Sequence, residues 1–357
     1  MYEDNFESKY IKMLNSLAEN NKITEEQLSH FCKRGIQVIS PNQDFGLQSL
    51  GKILPEIVIG ASKNYISKMK VPYQSTSYVA ANVKADGGGK GPYIYKLPSK
   101  HAGGITLLSG GKRKVGDNTF ASTHRILIGY KAIMVSAVNL MVNKNKIWNW
   151  QFFGNHFKHS DPSLYEDLIR LEKQWNNGTS SSQHLHYIVI ARSDATFKRL
   201  DIVEEYSRNN IAVLNPNYEI NVIFLTNQSG YDYASKIMHE SDMINYIVTG
   251  KEFDIQKALL NLRKQYNIDI MLNDGGRQMS NSLRDDSLLA EERVTLEPYP
   301  GKNIIPHEID PTSILGEVGL GLDESEVQGA IRIHSTSIGD ERANVYLYPL
   351  LDETKIL

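Results

Sequence analysis

The stretch Ile268-Asp269-Ile270-Met271-Leu272 runs directly into Asn273-Asp274-Gly275-Gly276-Arg277, and a helical pattern opens at Gln278. An apolar run, a glycine turn and a helix start read as strand, turn and helix. Two adjacent glycines let backbone N–H groups come close to a ligand, and a helix N-terminus behind them favours an anion such as a pyrophosphate. A Gly-Gly turn is also an ordinary way to leave a strand, and at this point both readings stand.

The flanking segments set the fold class. Asp254 precedes Ile255, Ala258, Leu259 and Leu262, an i, i+3, i+4, i+7 stripe with a natural N-cap, so an amphipathic helix leads into the strand. Beyond the glycines, Leu283, Leu288 and Leu289 predict a second helix, and Arg293-Val294-Thr295-Leu296-Glu297-Pro298 alternates as a strand does. Helix, strand, helix, strand is α/β grammar, and right-handed crossovers put the turn at the carboxyl edge of a sheet, where ligands bind.

With 357 residues, 41% of them hydrophobic, the chain can bury a large core as one domain or two. A net charge of −2 argues against a general nucleic-acid clamp. No apolar run reaches the roughly 18 residues of a membrane span, and Met1-Tyr2-Glu3-Asp4 lacks the basic-then-apolar order of a signal peptide, so a cytoplasmic protein is expected. Cys32 is the only cysteine, which excludes a disulfide within the chain.

Residues Leu272 to Gly301 resemble the NADPH-dependent reductase domain of riboflavin biosynthesis. The motif elements are Asp274, Gly275-Gly276, a helix, Leu288-Leu289-Ala290-Glu291, then Pro298 and Gly301. That family usually has an Asp-Glu pair where this chain has Ala290-Glu291, and a bulky apolar residue at Glu292. Upstream blocks follow in the family's order. Tyr78 to Gly87 is similar to its first strand ending in Asp-Gly, with Lys84-Ala85 replacing the usual Ser-Leu. His124-Arg125 and Lys131 to Ala137 resemble a helix and second strand leading to the cofactor loop, where Ser136 and Asn139 stand for the usual Gly and Thr. Asp161-Pro162-Ser163-Leu164 matches the following Asp-Pro-x-Leu, which makes residues 144–160 an insertion. Tyr187 to Ser193 matches the third strand, with Arg192 at a position often held by Asp. The likeness spans roughly residues 75–350.

The resemblance implies a dihydrofolate-reductase-like fold: a central, mostly parallel sheet flanked by helices over residues 73–357, behind a helical N-terminal extension of residues 1–72. In the extension, Phe6 to Leu17 and Glu25 to Phe31 have helical spacing, with Thr24 as N-cap of the second. The zinc deaminase that accompanies some family members needs a His/Cys/Cys set that a single cysteine cannot supply. In the insertion, Trp148, Trp150, Phe152 and Phe153 suit stacking on a flat heterocycle, a subunit seam or plain core packing.

The resemblance places catalytic candidates at Asp86 and Lys84, with Asp86 equally readable as a turn residue. The cofactor would meet Ser136, Ala137 and Asn139 beside the nicotinamide, and Asp274, Gly275, Gly276 and Arg277 at the glycine turn. Arg192 and Ser193 would take the 2′-phosphate that separates NADPH from NADH, or Arg192 would cap a strand end in an ion pair. A substrate phosphate would meet Lys112 and Arg113 in the loop from Ser109 to Asp117, together with His124 and Arg125; solvated side chains are the plain alternative. The implied activity is hydride transfer from NADPH to an imine or carbonyl of a pyrimidine-like, pterin-like or ribosylamine-phosphate metabolite. A degenerate binding module, or a non-redox enzyme on a nucleotide-like ligand, is the alternative. Pairing through Ala343 to Tyr348 would make a homodimer, or this final strand pairs only within its own sheet. The sequons at Asn177 and Asn227 have no meaning in a cytoplasmic chain.

Overall fold

Uninterrupted apolar runs such as Tyr187-Ile188-Val189-Ile190 and Val222-Ile223-Phe224-Leu225 are what a strand needs when both of its faces are covered, and these residues are buried. The computed structural model describes residues 11–39, 57–84, 92–96, 128, 131–137, 158, 162, 166, 184–200, 219–238, 244–297, 331–338, 341–349, 354 and 357, apart from 13, 17, 22 and 276. Its elements in chain order are α1 (Glu25–Arg34), β1 (Gln37–Ile39), β2 (Ile57–Ile59), α2 (Lys63–Lys68), β3 (Tyr73–Lys84), β4 (Pro92–Lys96), β5 (Ala132–Ser136) and β6 (His184–Ile190). They continue with α3 (Asp194–Leu200), β7 (Glu219–Thr226), α4 (Gln228–Ala234), β8 (Ile244–Val248), α5 (Ile255–Tyr266), β9 (Ile270–Asn273), α6 (Arg277–Asp285), β10 (Glu291–Glu297), β11 (Ile331–Ile338) and β12 (Glu341–Pro349).

Local chemistry explains the helix ends. Thr24 caps α1 through a capping box: its Oγ1 accepts the Gln27 N–H at 3.1 Å, and Gln27 Oε1 accepts the Thr24 N–H at 2.8 Å. Asp254 caps α5 by accepting the Lys257 N–H at 2.9 Å, and Asn267 ends it in the left-handed conformation. The apolar stripe of α5 is inward, with Ala258, Leu259 and Leu262 buried. Leu288 and Leu289 differ from expectation, because α6 stops at Asp285. Ser287 turns left-handed at φ 55°, and the N–H groups of Leu288 and Leu289 both reach back to the Leu283 carbonyl. Both leucines are buried just past the helix.

The chain divides into two compact units, one of residues 68–75, 124–289 and 352–357, the other of residues 1–67, 76–123 and 290–351. In the first, the strand order is β3-β9-β5-β6-β7-β8, with every neighbouring pair parallel. The mostly parallel α/β sheet that the sequence implies is therefore present. From β5 the chain winds outward through β6 and β7 to β8, then returns to insert β9 between β3 and β5. The outgoing and returning runs meet at β5 and β9, a topological switch point.

The second unit is antiparallel, with order β11-β12-β10 and β4 paired to β3, and it carries the N-terminal segment. In that segment α1 covers the second expected helix, and the segment also contains an antiparallel pair, β1 with β2, that the helical reading omits. Leu14, Ile23, Phe31 and Val58 form one buried cluster with Leu347 of β12. Arg293 lies opposite Leu347 in register, so Glu291 and Arg293 share its face of the sheet. Glu291 Oε2 accepts the Gly60 N–H at 2.8 Å, and its Oε1 accepts from Arg293 Nε at 3.3 Å. Arg34 is buried as well, with a guanidinium N–H on the Ala290 carbonyl at 3.4 Å and its charge over the Tyr65 ring. The aromatic insertion and the loop of residues 109–117 lie outside the described residues.

Removing one partner of a buried, hydrogen-bonded ion pair leaves the other charge uncompensated. Glu291→Ala should therefore lose about 3–5 kcal/mol of stability, read as a lower urea midpoint, whereas a loss under 1 kcal/mol would show that Arg293 and Gly60 do not depend on this carboxylate.

Candidate functional site

Parallel strands end on the same edge, so the residues that follow β9, β5 and β6 come together without any further device. The order along that edge is Asp274-Gly275 after β9, Ser136-Ala137 at the end of β5, and Arg192-Ser193 after β6. Ser136 is half-buried and Ala137 buried, so the centre of the edge carries small groups. Asp274 is buried, and its N–H donates to the Met134 carbonyl at 2.8 Å, which carries the β5-β9 pairing one step beyond the strand.

The glycine turn is packed from within. Gly275 donates its N–H to Asn273 Oδ1 at 3.3 Å, and Asn273 Nδ2 donates to Ser280 Oγ of α6 at 3.1 Å, so one amide staples turn to helix. A Cβ on Gly275 would fall 1.6 Å from Met279 Cε and 3.1 Å from Met279 Cβ. The missing side chain thus makes room for Met279, much as a glycine permits close packing of helix on strand. The N–H groups of Asp274 and Gly275 are engaged inside the protein, so these two do not act as donors to a phosphate.

A second knot ties the ends of β6, β7 and β8. Asn227 follows β7 and caps α4: its Oδ1 accepts the Gly230 N–H at 2.9 Å, its Nδ2 donates to the Lys251 carbonyl at 3.0 Å, and its N–H donates to the Arg192 carbonyl at 3.2 Å. Gln228 donates its N–H to the Gly250 carbonyl at 2.7 Å. Gly230 is required by contact, since a Cβ there would lie 2.0 Å from Thr226 Oγ1 and 3.2 Å from the Ser193 carbonyl carbon. Asp194, next along, pairs with Lys198 at 2.6 Å and accepts from Ser229 Oγ at 3.1 Å. The Lys198 hydrogen bond, and after it that of Ser229, holds the Asp194 carboxyl below its ordinary range, and Asp194 in turn raises the Lys198 ammonium.

Arg192 is the group that stands out from this framework. Its side chain is exposed, with the guanidinium carbon 5.7 Å from the centre of the Phe253 ring. Among the described residues it has no carboxylate at ion-pair distance. An uncompensated, preoriented guanidinium at a sheet edge can receive an anion.

The other expected site residues are distributed differently. Lys84 ends β3 in the antiparallel unit, its backbone paired with Pro92, and Arg277 opens α6. Asp86, Lys112, Arg113, His124, Arg125, Asn139 and Gly276 lie outside the described residues. In the sequence Asn227 reads only as a sequon, and Gly230, Thr249 and Phe253 carry no assigned role. The signal available was the run Ile220 to Thr226 ending in Asn227 three residues before Gly230, a strand followed by an N-cap. Among the described residues no three His, Cys, Asp or Glu side chains are grouped to hold a metal, and no helix is long and apolar enough to cross a membrane.

No protein-family model matches this sequence, and no curated protein matches it. Among solved structures the chain is similar to a riboflavin biosynthesis reductase of Saccharomyces cerevisiae, at 12% identity and a TM-score of 0.41 over 85% of this chain and 98% of that one. It is also similar to a pyrimidine reductase-like protein of Corynebacterium diphtheriae, at 11% identity and a TM-score of 0.41 over 82% and 97%. A diaminohydroxyphosphoribosylaminopyrimidine deaminase/5-amino-6-(5-phosphoribosylamino)uracil reductase of Thermotoga maritima gives 12% and 0.39, over 78% of this chain and 57% of that one. At these scores the likenesses assign neither an activity nor a ligand to this chain.

Two outcomes follow from the edge. Gly275→Ala should cost about 1–3 kcal/mol by overpacking and clearly less in a Met279→Ala background, where the thioether no longer fills the space; equal costs across the double-mutant cycle would clear Met279 as the obstacle. A depressed carboxylate contributes stability above its unfolded pKa and loses it as pH falls through the lowered folded value. Asp194→Asn should therefore flatten the fall in thermal midpoint as pH drops below the ordinary aspartate value of 3.8, and an unaltered acid limb would contradict this. The groups face solvent, so the difference is small.

Proposed function

We propose that this chain is an NADPH-dependent reductase that transfers hydride to an imine or carbonyl of a small heterocyclic metabolite, of the pyrimidine, pterin or ribosylamine-phosphate type. One observation carries the reading: the three motifs that resemble the reductase family's cofactor-binding blocks follow adjacent parallel strands β9, β5 and β6, at the switch point of the sheet. Motifs about fifty-five to a hundred and forty residues apart in sequence thereby share one edge, the kind of place where open α/β sheets bind nucleotides.

The cofactor supplies the hydride, and the chain supplies position and electrostatics. On this reading Arg192 and Ser193 take the 2′-phosphate, for which an exposed, uncompensated guanidinium is suited. Ser136 and Ala137, small and at the centre of the edge, permit close approach of a flat ring. Asp274 and Gly275 shape the turn rather than donate to it, since their N–H groups are engaged. Asp86 and Lys84 would face the substrate, and Lys112, Arg113, His124 and Arg125 its phosphate. A homodimer in the cytoplasm completes the proposal.

A second reading has a specific observation behind it. Because the glycine turn is filled by Met279 and its first two N–H groups point inward, a ligand without a pyrophosphate suits that turn at least as well. That favours a non-redox enzyme or a binding module on a nucleotide-like ligand.

Calorimetric titration of the purified protein with NADPH and NADH separates the two. The reductase reading expects tighter binding of NADPH, and it expects Arg192→Ala to weaken NADPH about tenfold or more, the loss of a charge-assisted hydrogen bond, with NADH little changed. Absence of binding by either nucleotide would put the second reading first.

A further inference from the structure

We infer that Phe253, on the loop after β8, is the positioning residue that sets the preference of this edge for a phosphorylated nucleotide; the inference rests on the reading of Arg192 as the group that receives a 2′-phosphate. The guanidinium of Arg192 has no carboxylate to hold it among the described residues, and an unrestrained arginine would sample many rotamers. The ring of Phe253, half-buried and 5.7 Å away, is the surface on which it rests.

The loop is built to hold that ring still. Before Phe253, the Gly250 carbonyl accepts the Gln228 N–H at 2.7 Å and the Lys251 carbonyl accepts from Asn227 Nδ2 at 3.0 Å. After it, the Asp254 N–H donates to Thr249 Oγ1 at 3.1 Å, and Asp254 itself caps α5. Lys257 of α5 closes the turn by donating to the Thr249 carbonyl at 2.6 Å. Gly250 sits at φ +132°, a conformation that side chains other than glycine rarely adopt, and this lets the chain fold back after β8. Asn227 links both partners, since its N–H holds the Arg192 backbone while its Nδ2 holds the Phe253 loop. The backbones that carry cation and ring are therefore tied to each other before any ligand arrives, and the ring gives the guanidinium a surface to rest on. An anion then meets a guanidinium whose ordering cost is already met by the fold, which is how preorganisation raises affinity.

The preference should reside in the phosphate alone. Calorimetric titration with adenosine 2′,5′-bisphosphate and with adenosine 5′-monophosphate isolates it, without any turnover. Phe253→Leu is expected to weaken the bisphosphate about three- to tenfold and leave the monophosphate unchanged, while Phe253→Trp, which keeps an aromatic face, retains wild-type affinity for both. Phe253→Met serves in place of the leucine variant if that one does not fold, with circular dichroism melts as the control. If Arg192→Ala loses the bisphosphate but neither Phe253→Leu nor Phe253→Met does, the phosphate reading stands and the role of Phe253 is overturned. If the wild-type protein does not distinguish the two nucleotides, the reading of Arg192 falls, and the inference with it. Equal weakening of both ligands by Phe253→Leu would make the ring a general part of the fold and would also overturn the proposal.

Discussion

The parallel pairing of β3, β9, β5, β6, β7 and β8 is the constraint from which the rest of the first unit follows. Parallel neighbours cannot be joined by tight hairpins, so each strand needs a crossover and each crossover starts from the same edge. The pairing does not stop where the strands do. The Asp274 N–H reaches the Met134 carbonyl, the Ala191 N–H the Leu225 carbonyl, and the Thr249 N–H the Thr226 carbonyl, all at 2.8–3.0 Å. These bonds fix the residues that leave each strand, and so the loops that would meet a ligand start from set positions. The buried runs beneath them, from Ala132 to Val135 and from Ile270 to Leu272, make the register costly to slip.

Glycine has a different task here from the one its sequence suggests. At Gly275 and at Gly230 the absent side chain is replaced by protein, Met279 in one case and Thr226 with Ser193 in the other. Neither is held at a positive φ, so close packing and not backbone freedom is what requires them. The edge is thereby a packed shelf whose nearby backbone donors are largely spent on the protein itself. Recognition passes to side chains at this edge, and Arg192 has no compensating carboxylate among the described residues. An arginine can do this work from a strand end because its charge is permanent and its donors are fixed in a plane.

Much of this fold is legible in the sequence where the physics is local. Thr24 and Asp254 are caps because their oxygens reach N–H groups three residues on, and the stripe of Ile255, Ala258, Leu259 and Leu262 needs nothing beyond helical spacing. The burial of Ile270 to Leu272 follows from an apolar run bounded by turn residues. Legibility fails where one residue's role depends on another far away. Leu288 and Leu289 read in the sequence as part of one helix with Leu283, yet the left-handed turn at Ser287 takes them out of the helix and into the core. The packing of Gly275 depends on the rotamer of Met279, and Asn227 becomes a junction only once β6 and β8 flank β7. Phe253 gives no signal at all, since nothing in the sequence places it beside Arg192.

The antiparallel unit shows the same principle acting on charge. An acidic residue at position 291 belongs to a pattern that resembles a reductase motif, and acidic residues in motifs invite a catalytic reading. Glu291 is instead buried, with one oxygen on the Gly60 N–H and the other on Arg293. It faces the side of the sheet on which Leu347 meets Leu14, Phe31 and Val58. Arg34, at the end of α1, reaches the carbonyl of the neighbouring Ala290. Apolar contact alone would let the N-terminal segment settle on β12 in several ways, because the hydrophobic effect has no direction. A buried carboxylate and two buried guanidinium groups accept far fewer arrangements, since each misplacement leaves a charge or an N–H unsatisfied. The described part of the segment is therefore oriented by these charged groups and stabilised by Leu14, Ile23, Phe31 and Val58, which places it in the unit's core.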